Sequence, residues 1–381
     1  MLAAEGRDVI VVERKPDFGA PARTWIVTPA LDDHLGRLPP HVAIHTTDTI
    51  EMFAGRARAS VPLHPPDRIV ERSALLLWLA DRARAAGTEI RLSTDVRGIR
   101  RTAEGLEVTV TGGVQGREYR LRTRHLIGAD GTRSTVAEHF GARPQKVVPI
   151  VQAKVELPAG YAPGVTRVWF DREGTRFFYW LIPESDSVGV AGLVPESTRT
   201  ARPDLDRFLD RHGLRLLEYQ GAVIPLHQPT RRIAWRFGDN RVLLVGDAAA
   251  HVKVTTVGGV VSGVWGAAAA ARALIRGSSY SRELWGLHRE LWLHDLMRWS
   301  MDRADQEAYV RMLEMMNKPL TRLLSRRNRD SMAGAVWQLM RAQPGILGLG
   351  LRSVFTPYRA LDGRPGARAR VVSTGSASGS L

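Results

Sequence analysis

The stretch RVLLVGDAAAHVKVTTVGGVVSGVWGAAAAA, residues 241–271, decides the fold of this chain. It begins with a short apolar run that is typical of a buried parallel strand. The strand ends at Gly246-Asp247, which puts a carboxylate at the carboxyl end of the strand, where α/β proteins bind ligands. Further on, Gly258-Gly259 opens a helix made of Val, Ser, Gly and Ala. The stretch therefore predicts a strand, a loop and a helix at the ligand-binding edge of a parallel sheet.

Asp247 and the two glycines are the candidate binding residues of this unit. A carboxylate at that position can accept two hydrogen bonds from a polyol such as a ribityl chain. The first N–H groups of the helix and its positive dipole end would suit negative charge on a ligand. A tightly packed helix without a ligand would explain the alanines, but not the Gly-Asp and Gly-Gly pairs.

A second strand that ends in an acidic turn lies upstream, in HLIGADGTRSTV, residues 125–136. Ser134 is a candidate first residue of a helix. The glycines let the backbone approach a ligand closely, and a helix N-terminus favours phosphate. Asp130 and Gly131 are therefore candidate ligand contacts, although taken alone the segment is simply a turn.

The opening residues MLAAEGRDVIVVERK, 1–15, indicate the end of a helix at Gly6 and then a buried strand that ends in Glu13. In a dinucleotide-binding unit, an acid in this place binds a ribose about 20 residues after a Gly-rich turn. Counting back from Glu13 passes Met1, so this interpretation expects the Gly-rich turn and the first strand to lie upstream. A surface glutamate that follows a strand is the alternative.

The rest of the chain shows three patterns. A helix is predicted over 71–86, and short strands follow it at 89–92, 106–110 and 119–127. Alternating segments between residues 147 and 233, separated by Gly, Pro and Asp, predict antiparallel sheet. Helices are predicted from 277 to 360, followed by a disordered tail.

Three tryptophans, Trp285, Trp292 and Trp299, recur every seven residues and share one face of a predicted helix. Core packing is the interpretation that we favour. The wall of a long apolar pocket for a prenyl chain is the alternative.

The 381 residues contain no cysteine and carry a formal net charge of +15 that is spread through the chain. The lack of cysteine excludes disulfides and cysteine nucleophiles, and fits a reducing cytoplasm. His41 and His45 have no Glu or Cys nearby, so no metal site is expected. The sequence shows no basic face with interleaved aromatic residues, so a nucleic-acid partner is not expected. The charge fits a solvated Arg-rich surface, with attraction to anionic lipid, and hence peripheral membrane contact, as the alternative.

Glu13, the GADG turn and the GDAA segment, in this order, resemble the FAD-dependent oxidoreductases of the aromatic-hydroxylase-like fold. HVKVTTVGG, residues 251–259, and FFYWLIPESDSVGVAGL, residues 177–193, are most similar to the geranylgeranyl reductase branch. The predicted helix that starts at Glu71 matches a family helix whose leading arginine, here Arg72, lies along the cofactor. The family's N-terminal GxGxxG segment has no counterpart in this sequence.

The resemblance implies an α/β fold. It comprises an FAD/NAD(P)-binding Rossmann-like domain, an inserted antiparallel β substrate domain and a C-terminal helical region. The implied boundaries are 1–37, 60–146 and 231–276 for the FAD-binding domain, without its first strand and Gly-rich loop; 38–59 and 147–230 for the substrate domain; 277–360 for the helices; and 361–381 for the tail.

The resemblance also implies roles for single residues. Glu13 would bind the adenosine ribose, and Arg72 would lie beside the extended middle of the cofactor. Asp130 and Gly131 would approach the pyrophosphate and ribose, and Asp247, with Gly246 before it, would hold the ribityl and pyrophosphate region. Gly258 and Gly259 would place a helix dipole near the pyrimidine edge of the flavin. Phe178 and Trp180 would line the substrate pocket. Tyr179 and His251 are the candidate proton donors.

The implied activity is an FAD-dependent reduction of carbon–carbon double bonds in an isoprenoid-like apolar substrate. Its electrons would come from NAD(P)H or a ferredoxin-like donor. One alternative keeps FAD and acts as a monooxygenase, or a halogenase, on an aromatic or polyketide ring. Another is a truncated homologue that binds no cofactor and is not an enzyme.

Overall fold

A computed structural model describes residues 1–19, 23–113, 116–326 and residue 330. In these ranges the chain forms sixteen strands. Numbered in chain order, they are β1 Ile10–Val12, β2 Thr24–Val27, β3 Ala43–Ala54, β4 Ala57–Glu71, β5 Glu89–Arg91, β6 Thr94–Arg101, β7 Leu106–Gly112, β8 Arg117–Thr123, β9 His125–Gly128, β10 Val147–Glu156, β11 Val165–Trp169, β12 Tyr179–Pro183, β13 Val188–Leu193, β14 Arg215–Pro225, β15 Ala234–Phe237 and β16 Asn240–Leu244.

The helices of the same ranges lie between the strands and after them. They are α1 Asp32–Leu35, α2 Arg72–Ala85, α3 Thr135–His139, α4 Ala201–Arg211, α5 Val260–Ile275, α6 Tyr280–Glu283, α7 Trp285–Met301, α8 Gln306–Glu314 and α9 Lys318–Ser325. Among the described residues, no helix combines the length and the apolar character that a membrane span requires.

A large sheet of eight strands, in the order β14-β10-β13-β12-β11-β3-β4-β2, forms the β-rich half. Its pairs are antiparallel except for β11 with β3. One face is covered by α4, because Leu205, Phe208 and Leu209 pack there against Tyr179 and Leu181 of the sheet. The opposite face of β12 carries Trp180, as the two-residue alternation of a strand requires.

Outside the large sheet, the parallel strands form two separate groups. β1 pairs with β5, and β9 pairs with β16, which continues antiparallel to β15. In β1, Ile10 and Val11 are exposed. The meander β6-β7-β8 forms a fourth sheet, whose apolar side chains share one core cluster with those of β15 and β16. The predicted α/β class, with an antiparallel insert and C-terminal helices, is confirmed.

Most predicted elements occur with small shifts. The predicted helix over 71–86 is α2, where the Glu71 side chain accepts hydrogen bonds from the N–H groups of Ser73 and Ala74. Ser134 caps α3 by accepting from the N–H of Ala137. The predicted strand over 119–127 is two strands, β8 and β9, in different sheets. A boundary at residue 59 falls inside β4, so the division into domains stays a prediction.

The C-terminal region is helical from α6 to α9, as expected. The rest of the predicted helical segment, to residue 360, and the predicted tail at 361–381 lie outside the described residues. The favoured interpretation of the tryptophans is wrong: Trp285, Trp292 and Trp299 are 69%, 54% and 36% exposed. The buried face of α7 carries Leu287 and Leu291 instead. Each residue turns the helix by about 100°, so these leucines lie on a different side of the helix from the tryptophans.

Candidate functional site

The two acidic turns lie side by side. β9 and β16 are parallel neighbours with Gly128 opposite Leu244, and the Val245 N–H donates to the Gly128 carbonyl at 3.0 Å. The turn that holds Asp130 and the turn that holds Asp247 therefore leave the sheet at the same edge. Sequence reasoning predicted each turn, and the pairing of the strands brings the two together.

The Asp130 carboxylate is engaged within its own turn. Its Oδ1 accepts from the Ser134 hydroxyl at 2.5 Å, and its Oδ2 accepts from the Val136 N–H at 3.1 Å. Gly131 has a φ of +79°, and a Cβ built on it would meet nothing within 4 Å. The Asp130 side chain thus fixes the start of α3, and it is the backbone of the turn that faces open space.

The Asp247 carboxylate is mostly buried, and the described residues offer it no hydrogen bond or ion pair. Burial raises the pKa of this carboxyl group. Its Oδ1 lies 3.3 Å from the position that a Cβ at Gly259 would occupy. The loop itself is fixed, because Gln145 Nε2 donates to the Asp247 carbonyl at 2.8 Å and Arg231 Nη1 donates to the Ala248 carbonyl at 2.7 Å. A rigid, desolvated carboxylate without a partner is suited to accept from ligand hydroxyl groups.

Helix α5 starts beside that carboxylate. Gly259 is its N-cap, and Val261 in its first turn packs with Leu75 of α2 and Val27 of β2. Arg72, the first residue of α2, lies over the Trp25 ring at 5.7 Å. Its Nη1 is buried and has no hydrogen-bond partner among the described residues. An unpartnered guanidinium nitrogen here is consistent with the predicted contact between Arg72 and a phosphate-bearing ligand.

An apolar sheet face lies next to the start of α5. Trp180 and Val194 are buried with Val257, and the partly buried side chains around them come from β10, β12, β14 and the turn before β12: Val148, Ile150, Phe177, Phe178, Ile182 and Ile224. The Trp180 indole lies directly over Gly192, where a Cβ would meet its ring at 2.5 Å. Thr132 Oγ1 donates to the Val223 carbonyl at 3.4 Å, so the Asp130 turn borders the same face.

Val257 is a member of this site that sequence reasoning missed. Its φ is +50°, which lies in the left-handed region that β-branched residues rarely adopt. Such a backbone costs about 1–3 kcal/mol and persists only where the surroundings enforce it. The side chain is thereby held against Trp180, immediately before Gly258. No local sequence signal announces a strained valine.

Of the two candidate proton donors, Tyr179 lies away from the site, and His251 belongs to the Asp247–Gly259 loop but has its ring buried against α5. Tyr179 points to the opposite face of β12 and stacks on Phe208 at 4.6 Å between ring centroids. Burial raises the pKa of Tyr179 to about 12. His251 is fully buried against Gly266 of α5, and burial lowers its pKa to about 3. The structure therefore does not bring Tyr179 to the other predicted residues, and it keeps His251 neutral at ordinary pH.

Glu13 lies at the end of β1, in the other parallel pair. Its Oε1 accepts from the Lys15 N–H at 2.9 Å, and its backbone continues the pairing with β5 and β6. Because β1 belongs to a different sheet from β9 and β16, Glu13 is not brought to Asp130 and Asp247 by strand pairing. Its role at a ribose stays a prediction.

A row of buried polar side chains on α7 was also missed. Glu290, His294 and Arg298 are buried at a spacing of four residues. His294 Nδ1 and the Thr255 hydroxyl share a hydrogen bond of 2.7 Å, which ties α7 to the loop before α5. Beside them Lys253 pairs with Asp330. The spacing of four residues is a sequence signal for these side chains, but it is less conspicuous than the tryptophan repeat on the same helix.

Two of the buried histidines should make the folded protein sensitive to acid. Burial lowers the pKa of His251 to about 3 and that of His294 to about 4, against about 6.5 in an unfolded chain. The folded state holds both rings neutral, so stability is complete above the unfolded pKa and is lost as the pH falls below it. We expect the free energy of unfolding, measured by urea titration, to drop by about 2–3 kcal/mol between about pH 7.5 and 5.5.

Two variants test whether His294 contributes to this loss of stability at low pH. His294→Gln keeps a side chain that can bond Thr255 and should remove about half of the pH dependence. His41→Asn, at an exposed position, should leave the dependence as it is in the parent protein. Parallel curves for His294→Gln and the parent would refute the assignment.

Comparison with known proteins decides the family. Residues 64–277, more than half of the chain, match the family described as "FAD binding domain". The chain belongs to this FAD-binding family. The matched range contains Arg72, the Asp130 turn, the apolar sheet face and the whole Asp247–Gly259 loop. The match to an FAD-binding domain shows that the cofactor of this family is FAD, which counts against the cofactor-free alternative.

Relatives of this FAD-binding protein include both reductases and oxygenases. A digeranylgeranylglycerophospholipid reductase of Methanococcus vannielii is 30% identical over 203 residues, 50% of this chain and 50% of the relative. A rifampicin monooxygenase of Streptomyces venezuelae is 32% identical over 240 residues, 56% of this chain and 46% of the relative. The chain thus spans about half the length of these two curated relatives.

A solved structure shares the fold of this FAD-binding protein over nearly its whole length. It is a geranylgeranyl bacteriochlorophyll reductase-like protein of Thermoplasma acidophilum, with a TM-score of 0.76 at 13% identity. The match covers 92% of this chain and 94% of that one. Similarity at this level of identity establishes the common fold.

The side chains at the site fit the flavin end of FAD. The open space above Gly131 and Gly246 leaves room for a ligand against the backbone. The Asp247 carboxylate could accept from ligand hydroxyl groups, and Arg72 Nη1 is a buried donor without a hydrogen-bond partner among the described residues. The first N–H groups of α5 are donors at the same place.

Proposed function

We propose that this protein is an FAD-dependent reductase that saturates carbon–carbon double bonds of an isoprenoid-like apolar substrate. The observation that carries the proposal is the apolar sheet face around Trp180, which adjoins Val257 and the start of α5. A flavin held by Asp247, Gly258 and Gly259 would lie against this face. The name of the relative that is 30% identical agrees with a prenyl substrate.

In this proposal each group has a physical task. FAD, when bound, supplies the hydride equivalent for the reduction. Asp247 accepts hydrogen bonds from the ribityl chain, and the N–H groups at Gly259 and beyond stabilise negative charge at the pyrimidine edge. Trp180, Ile182 and Val257 orient an apolar chain and exclude water. Tyr179 lies on the opposite face of the sheet and is not the proton donor of this reaction.

We further propose the two-domain organisation that the sequence suggested. The FAD-binding domain is assembled from 1–37, 60–146 and 231–276, and the large sheet supplies the substrate domain from 38–59 and 147–230. The continuation of β4 to Glu71 supports a shared strand between the two rather than a clean boundary. NAD(P)H or a ferredoxin-like protein is the proposed electron donor.

Turnover without oxygen tests the reaction. The FAD-loaded protein is reduced chemically under anaerobic conditions and mixed with geranylgeranyl diphosphate as the probe. We expect return of the oxidised flavin spectrum and a product heavier by two hydrogens for each saturated bond. Product that forms only in air, with an added oxygen atom, would refute the reductase.

Trp180→Phe should weaken substrate binding at the sheet face. The smaller ring removes apolar contact area from the proposed substrate channel, so we expect the KM for the prenyl probe to rise about tenfold with the FAD content unchanged. Trp169→Phe is the matched control, because Trp169 packs on Phe208 on the opposite side of the sheet. Equal KM values for the two variants would contradict the placement of the substrate.

A flavin monooxygenase is the second candidate. The 32% identity to a rifampicin monooxygenase favours it, and the aromatic side chains Phe177, Phe178 and Trp180 would suit an aromatic ring as well as a prenyl chain. This candidate predicts oxygen consumption that is coupled to product in the same assay.

A further inference from the structure

The outer face of α6 and α7 carries a continuous stripe of tryptophan and arginine. The positions follow one another at spacings of three or four residues, so they lie in one line along the helix surface. We call them the Trp–Arg stripe: Arg282, Trp285, Arg289, Trp292, Leu296, Trp299 and Arg303. Trp285, Trp292 and Leu296 are each at least half exposed, and the Arg303 guanidinium lies over the Trp299 ring at 4.0 Å.

Acidic side chains of this segment are turned away from the stripe. Glu283 pairs with Arg272, Asp295 with His227, and Asp302 with Arg298. Glu290 is buried on the inner face of α7, although its Oε1 accepts from Arg289 Nη2 of the stripe at 3.5 Å. Arg289 is thus the stripe member with a carboxylate of this segment as a neighbour, and that carboxylate is buried, so the outward surface of the stripe offers cations and indole rings.

We propose that the Trp–Arg stripe docks on the surface of an anionic phospholipid bilayer. Indole rings, which are apolar with one N–H donor, favour the boundary between head groups and acyl chains. Guanidinium groups bind phosphate oxygens, and each basic side chain near an anionic surface adds to the attraction. A helix that lies in this boundary with aromatic and basic groups on one face is a recognised mode of peripheral attachment.

Charge argues against a second copy of this chain as the occupant. A symmetric dimer through the stripe would bring two arginine-bearing surfaces together, and like charges across an interface are costly. An anionic lipid surface has the opposite sign. The overall charge of +15 adds a long-range attraction of the whole protein to an anionic surface.

The inner face of α7 connects the stripe to the candidate site. His294 bonds Thr255 in the loop before α5, and the Arg298 guanidinium lies over the Phe177 ring at 4.4 Å. Docking would therefore hold the apolar sheet face close to the lipid. This last link rests on the proposed function, whereas the docking itself does not.

Vesicle binding of the full chain, without substrate, tests the docking. Sedimentation is compared between vesicles of phosphatidylcholine alone and vesicles with one third phosphatidylglycerol. We expect binding to the anionic vesicles that weakens with salt, together with quenching of tryptophan fluorescence by brominated lipid. Lack of binding to anionic vesicles overturns the proposal and leaves the reductase assay unaffected.

Two sets of variants identify the surface. Replacing Trp285, Trp292 and Trp299 by serine should lower the partition coefficient by more than about tenfold, and Arg282→Gln with Arg289→Gln should lower it about fivefold per arginine on anionic vesicles only. The matched controls are Leu216→Ser with Leu217→Ser, at exposed apolar positions of β14, and Arg120→Gln with Arg122→Gln on β8. An equal loss in the controls overturns the assignment.

Two other occupants give distinct results. If a second copy covers the stripe, sedimentation velocity shows a dimer that Trp292→Ser dissociates. If residues 331–381 cover it, acrylamide fails to reach the three tryptophans in the full chain. Either result overturns the docking on lipid.

Discussion

Asp247→Ala is expected to bind FAD about 10- to 100-fold more weakly than the parent protein. Hydrogen bonds to a charged group contribute about 1.5–3 kcal/mol each, and the Asp247 carboxylate is desolvated and unpartnered among the described residues. A flavin that binds at the start of α5 would provide its hydroxyl partners. The dissociation constant is measured by the quenching of flavin fluorescence on titration of apoprotein.

The same position should respond in the opposite direction when FAD is absent. Burial raises the pKa of the Asp247 carboxyl, so above the unfolded pKa the ionised form costs folding free energy. Asp247→Asn removes that cost, and we expect the apoprotein to unfold at the same temperature as the parent or higher. Asp239→Ala, at an exposed turn at the other end of β16, is the control for both measurements. A destabilised apoprotein together with an unchanged dissociation constant would show a structural role instead.

Gly266→Ala is expected to destabilise the apoprotein by about 3 kcal/mol, at the upper end of overpacking effects. A Cβ at Gly266 would overlap the His251 ring, which is fully buried and surrounded by α5 and His288. Because the ring is fully buried, the ring, the helix or the Asp247 loop must shift. Urea unfolding measures the loss.

A neighbouring glycine of the same helix provides the matched control. A Cβ at Gly263 would have Gly246 Cα as its nearest neighbour, at an ordinary 3.5 Å. Gly263→Ala should therefore be neutral or stabilising by up to about 1 kcal/mol, since alanine favours a helix. Equal losses in the two variants would mean that helix geometry, and not His251, sets the effect.

Much of the site was predictable because its signals are local. The Gly-Asp after β16, the Ser134 cap of α3 and the small residues of α5 each follow from chemistry within a few neighbouring positions. The same reasoning located the sheet that carries Trp180, because its turns and alternation are also local.

Other features depend on contacts between distant segments. The sequence placed Tyr179 and Trp180 together, but the pleat of β12 sends one to α4 and the other to Val257. A strained backbone at Val257 has no local signature, because its surroundings impose it.

By itself, the amino-acid sequence determined the α/β class, the resemblance to FAD-dependent oxidoreductases and the positions of the Asp130 and Asp247 turns. Only the tertiary structure decided that β9 pairs with β16 to join these turns, and that the tryptophans of α7 face outward. The physical reason is that caps, turns and periodicities depend on neighbouring residues. Burial of a helix face, by contrast, depends on which distant surfaces pack against it.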